Sequence, residues 1–101
     1  MIKLNPTQLA ALRAIERNTV AGFVAQGRRC EMFGLDNTGA RVTTLRALNA
    51  AGLVTWDAKD YRESVPAGPF GRTERWGYRT RTWVEVACRL TEAGRQALGA
   101  L

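Results

Sequence analysis

The sequence predicts an α+β fold around one core, and three stretches carry that reading. A capped helix start stands at Asn5-Pro6-Thr7-Gln8. Residues 39–51 place apolar side chains at helical spacing and close on Gly52. Residues 80–90 alternate apolar and polar side chains with the period of a half-buried strand. The 101 residues, 46% hydrophobic and 24% charged, are too few for two independent cores, so residues 1–101 are expected to form a single domain.

The first helix is expected over about 6–18. Asn5 stands as N-cap, Pro6 takes the first helical position, where a missing N–H costs nothing, and Gln8 is placed to close a capping box. Leu9, Leu12 and Ile15 recur on one face with Ala11 between them, and Arg13, Glu16 and Arg17 turn to water. Residues 19–35 are less regular. Val20, Phe23 and Val24 suit a short extended piece, and Gly34 suits the end of a short second helix over 28–33, while a β-hairpin through Cys30 to Phe33 is the other reading. After the turn residues Asp36-Asn37-Thr38-Gly39, a helix is expected over about 39–51, capped by Asn37 or Thr38 and burying Val42, Leu45 and Leu48.

Leu53-Val54-Thr55-Trp56 reads as a strand, being rich in β-favouring residues. Residues 57–80 read as a long loop, because Pro66, Gly68, Pro69 and Gly71 forbid a continuous central strand. The strand over 80–90 sets Val84, Val86, Cys88 and Leu90 on its inner face. Thr91 then caps a final helix over about 92–98, whose first turn holds Glu92 at the favourable end of the helix dipole. The expected core is Leu9, Leu12, Ile15, Val42, Leu45, Leu48, Val54, Val84, Val86 and Leu90.

Fifteen Lys and Arg against nine Asp and Glu give a net charge of +6, which favours a polyanionic partner. Thirteen of the fifteen are Arg, whose planar fork suits phosphate and guanine, although a GC-rich coding sequence produces the same bias. Histidine is absent, which excludes Ser-His-Asp and Cys-His catalysis and His metal sites. With no Walker A run, dinucleotide glycine motif or metal-ligand cluster, no enzyme activity, cofactor or metal is expected. Cys30 and Cys88 lie far apart without C-x-x-C spacing and are expected to be free, small, buried apolar side chains in a reducing cytosol. The N-terminal residues lack a signal-peptide apolar run, and nowhere do about 18 consecutive apolar residues occur, so a cytoplasmic chain without membrane contact is expected.

The run Thr44-Leu45-Arg46-Ala47-Leu48-Asn49-Ala50-Ala51-Gly52-Leu53-Val54, followed by Leu90-Thr91-Glu92-Ala93-Gly94-Arg95, resembles the winged helix-turn-helix families of bacterial regulators. The MarR-like and PadR-like families are the most similar, over roughly residues 38–98. In them an L-x-x-x-G-L-V run ends the recognition helix and opens the wing, and L-T-x-x-G closes the second wing strand. Phe33-Gly34-Leu35-Asp36 resembles the end of their second helix, with one extra residue before the recognition helix. The resemblance implies a three-helix core, a two-stranded wing with a long loop, and a C-terminal helix. It further implies a transcriptional regulator of bacterial or phage type on double-stranded DNA, with the helix over 39–51 in the major groove and the wing over 57–80 on the adjacent backbone. Such regulators are usually homodimers, and Ala93, Ala97, Leu98 and Leu101 are available as part of such a surface.

Setting Val42, Leu45 and Leu48 inward turns Ala40, Thr43, Ala47 and Ala50 outward, with Thr44 and Arg46 at the flanks. Arg46 suits a bidentate guanine contact and Thr43 a thymine methyl. Along the wing Arg72, Arg75, Arg79 and Arg81 face one acid, Glu74, and Trp76 and Tyr78 interleave with them, a mixture suited to sugar-phosphate surfaces or a minor groove. A solvated charged face, and for Trp76 an anchor over the sheet, are the plain structural alternatives. Trp56 and Trp83 fall in the two expected wing strands and read as structural. The expected DNA contacts are therefore Thr43, Thr44, Arg46, Arg72, Arg75, Trp76, Arg79 and Arg81. The small residues of the exposed helix face suit a protein partner equally well, so the rival reading is a protein-interaction module on the same fold, such as a phage factor docking on host transcription machinery.

Overall fold

The computed structural model describes residues 3–68 and 77–100. In chain order the elements are α1 (Pro6–Asn18), β1 (Ala21–Gln26), β2 (Arg29–Phe33), α2 (Val42–Ala50), β3 (Asp57–Pro66), β4 (Tyr78–Cys88) and α3 (Glu92–Gly99). The strands form one antiparallel sheet in the order β2-β1-β4-β3. Among the described residues the fold is thus α+β, with three helices and a four-stranded sheet. Its helix and strand order departs from the expected one, because a strand stands where the second helix was placed.

α1 starts and ends as its sequence requires. Asn5 Oδ1 accepts the Gln8 backbone N–H at 2.7 Å, and Gln8 Oε1 accepts the Asn5 N–H at 3.1 Å, a complete capping box. The helix stops at Thr19, which is left-handed at φ 63, and Asn18 Nδ2 donates to the Gly34 carbonyl at 3.1 Å. Residues 28–33 are not a helix. They form β2, joined to β1 by the two-residue loop Gly27-Arg28, with Gln26 opposite Arg29. Gly27 has φ 56, the positive value that tight hairpin turns demand of their first loop residue. The hairpin wins because β1 is a central strand: β4 satisfies one edge of its backbone, and without β2 the other would be unpaired.

α2 starts about three residues later than expected. Thr38 closes a turn instead of capping the helix: its hydroxyl donates to the Leu35 carbonyl at 2.6 Å and accepts the Ala40 N–H at 3.1 Å. Left-handed Asn37 and Gly39, at φ 65 and 72, carry the chain around that turn. The helix ends at Gly52 as expected, with φ 76. Leu53 and Val54 then enter the core without forming a strand; an isolated bridge joins Val54 to Leu90. The strand comes next, over the residues expected to form a loop. Nine of the ten residues of β3 are exposed, so no apolar alternation announced it. Pro66 closes the strand at the sheet edge, where an absent N–H leaves no ladder partner wanting.

The core lies between the helices and one face of the sheet. Leu12, Ile15, Leu45, Leu48, Val54 and Val86 are buried as expected, while Leu9, Val42, Val84 and Leu90 are only partly so. Ala11, Ala14, Ala21, Phe23, Leu35, Ala40, Leu53 and Cys88 complete it. Ala40, expected to face outward, is therefore an inner residue. Both cysteines are free, but Cys30 is exposed on the edge strand β2 and does not fill the core. Thr91 caps α3: its hydroxyl accepts the Gly94 N–H at 3.1 Å and donates to the Gly52 carbonyl at 2.6 Å.

β1 pairs with β4 over Val84 to Cys88 only, whereas β3 follows β4 out to Pro66 opposite Tyr78. Residues 61–66 and 78–83 consequently continue as a two-stranded ribbon of roughly 20 Å, at about 3.3 Å per residue. The radius of gyration is 17.6 Å, against about 13 Å for a compact chain of 100 residues.

Candidate nucleic-acid interface

Trp56 lies in the segment between α2 and β3, five residues before the projecting ribbon begins at Tyr61. This indole is tilted at 59° against Phe23, with ring centroids 5.5 Å apart, and the Arg46 guanidinium lies 5.9 Å from its centroid. Arg46 is thus exposed beside the start of the β3–β4 hairpin. Thr43 is exposed on the same helix, together with Ala47 and Ala50. Thr44 has a structural task instead, since its hydroxyl accepts the Arg41 backbone N–H at 3.1 Å in the first turn.

On the ribbon, Trp83 pairs across the strands with Tyr61, stacked at 5.4 Å and 8°. Trp56 lies before β3 and packs on Phe23, so these two tryptophans have separate partners. Arg81 sits over Trp83 at 5.3 Å, and its Nη2 meets Glu63 Oε2 at 2.6 Å. Both side chains of this ion pair are 47% exposed, so the pair adds little stability, yet a phosphate would have to displace Glu63 to take the full charge of Arg81. Arg79 is exposed opposite Val65. Arg72, Arg75 and Trp76 lie outside the described residues.

Two further cations belong to this surface, Lys59 and Arg62, both exposed on β3. Reading 57–66 as a loop concealed them. Strand alternation places Arg62 and Asp60 on the face that carries Trp56, with Lys59 and Glu63 on the other. Within the described ribbon strands, Lys59, Arg62, Arg79 and Arg81 are balanced by Asp57, Asp60, Glu63 and Glu85. Beside the start of β3 an open groove of about 550 Å³ is bordered by Asp57, Lys59, Glu85 and Arg89, a mixed set that selects neither anion nor cation.

Burial pushes the Cys88 thiol up to about 11, away from the reactive thiolate. Among the described residues no group of three or more Cys, Asp or Glu side chains is placed to hold a metal ion. None of their helices is long and apolar enough to cross a membrane. Comparison with known protein families, curated proteins and solved structures finds no match.

Proposed function

We propose that the chain is a small DNA-binding protein of the transcription-regulator kind, setting α2 toward a major groove and laying the β3–β4 ribbon along the neighbouring backbone. The observation that carries this reading is the placement of Trp56: it lies between α2, whose outer face is exposed, and an antiparallel hairpin whose far half projects beyond the sheet, and the Arg46 guanidinium lies over its ring. The sheet order β1-β4-β3, with α2 preceding the hairpin, is compatible with a winged-helix arrangement, although a strand, β2, stands where such a fold has its second helix. The net charge of +6 supports a polyanionic ligand. Arg46 and Thr43 take the base-edge role, and Arg72, Arg75 and Arg79 the phosphates, since phosphate contacts position without reading sequence. The rival reading, docking on another protein, is favoured by one observation, the charge balance of the described ribbon strands.

Fluorescence anisotropy on mixed-sequence and selected duplexes, across several salt concentrations, tests the proposal. Affinity should fall steeply with salt, and Arg72→Ala with Arg75→Ala should flatten the slope of log affinity against log salt by about 2 units on every duplex. Arg46→Ala should cost about 1 to 3 kcal/mol on the selected duplex and relax discrimination there. Absence of duplex binding, or binding indifferent to salt, overturns the proposal in favour of the protein-docking reading.

A further inference from the structure

β3 is an edge strand ten residues long with nine of them exposed, an unusual length of free backbone for a natural sheet edge. Its hydrogen-bonding phase follows from the ends of the hairpin. Ala67 donates to the Gly77 carbonyl and Thr55 to the Arg89 carbonyl, each at 2.9 Å, in the register that sets Tyr61 opposite Trp83. Odd-numbered residues of β3 therefore turn their backbone groups toward β4, and Ala58, Asp60, Arg62 and Ser64 turn theirs outward.

We propose that β3 pairs antiparallel with β3 of a second copy of this chain, about a two-fold axis at Tyr61, joining two sheets into one of eight strands. That register sets Asp60 against Arg62 of the second copy and Ala58 against Ser64, all with outward-facing backbone groups. It also sets Lys59 against Glu63 and Tyr61 against its own counterpart. Every charge from Lys59 to Glu63 then meets its opposite, twice over. The neighbouring registers fail: an axis at Lys59, Asp60, Arg62 or Glu63 sets that charge against itself, and an axis between residues pairs an outward backbone with an inward one. Side chains behind the edge extend the match. Across the joint, Arg81, Glu63, Lys59 and Glu85 form a row of alternating sign, and Trp83 and Tyr61 meet their counterparts in an aromatic row, where Tyr61 is 37% exposed in the single chain. Such a self-complementary patch is what a closed two-fold interface requires. The inference does not depend on DNA binding, and its test contains no DNA.

Sedimentation equilibrium of the full chain provides the test. The wild-type protein should be a dimer, and Asp60→Arg or Arg62→Asp should each raise the dimer Kd by ~10-fold or more, since each substitution turns two attractive pairs into repulsive ones. Within the chain these positions face uncharged Val84 and Thr82, so the fold should be retained, as far-UV circular dichroism will show. Mixing the two single variants should restore association as a heterodimer, and the Asp60→Arg/Arg62→Asp double variant should dimerise by itself. A monomeric wild type, a dimer indifferent to Asp60→Arg, or a mixture that stays monomeric overturns the proposal, leaving the charges as guards of an edge kept unpaired.

Discussion

Replacing Gly94 by alanine sets helix propensity against packing, and the two predict opposite signs. In an unencumbered helix the change favours the folded state by about 1 kcal/mol. Gly94 is not unencumbered. It lies in the first turn of α3, and a Cβ there would run into the Leu53 carbonyl oxygen and come within 3.1 Å of Leu90 Cδ2. The same carbonyl accepts the Thr91 N–H at 3.1 Å, and Thr91 Oγ1 donates to the Gly52 carbonyl, so the backbone on both sides is clamped. Relief of the clash requires α3 to tilt away, at a typical overpacking cost of about 1 to 3 kcal/mol. Losing the Thr91 bond adds about 1 kcal/mol. Against the propensity gain, the net loss is about 1 to 3 kcal/mol, or a Tm lower by roughly 4–8 °C per kcal/mol. Urea denaturation followed by tryptophan fluorescence measures it, with Gly99→Ala as control, since a Cβ at that position would meet nothing within 4 Å beyond its chain neighbours and its own helix backbone. The control should be neutral or slightly stabilising. A Gly94→Ala protein as stable as the wild type would refute the placement of α3 against Leu53.

Three further outcomes are expected. Leu48→Ala, at a side chain only 1% exposed between α2 and the core, should cost about 2 to 5 kcal/mol in the same denaturation assay. Without reductant, a thiol reagent should label Cys30 rapidly in the native protein and Cys88 only on unfolding, for a total of two thiols. Stability should fall in alkali. Below pH 9.0 Cys88 is a neutral thiol in both states, but between there and about 11 the unfolded chain ionises it while the folded chain holds the proton. The loss should reach about 2 to 3 kcal/mol above that window and be missing from Cys88→Ala.

Local chemistry was legible wherever a segment satisfied its own backbone. The Asn5-Gln8 capping box, the Gly52 stop, the Thr91 cap and the inner positions Val86 and Cys88 of β4 rest on side chains within a few residues of each other, and each stands as the sequence indicates. The buried stripe of Leu45 and Leu48 was legible for the same reason, since helical spacing alone brings the two together. Other features depended on distant partners. Residues 29–33 carry no decisive periodicity, and they become a strand because β1, already held by β4, needs a second neighbour. β3 shows no apolar alternation because neither of its faces is covered, and only cross-strand pairing with β4 keeps it extended. That pairing decides the chemistry of the candidate surface: it joins Arg81 to Glu63, stacks Tyr61 on Trp83 and brings out Arg62, none of which neighbours its partner in sequence. Composition established a cationic chain lacking histidine, because charge and side-chain chemistry survive any fold. On the described ribbon, that Arg81 meets Glu63 was decided by strand register, a property of two segments at once.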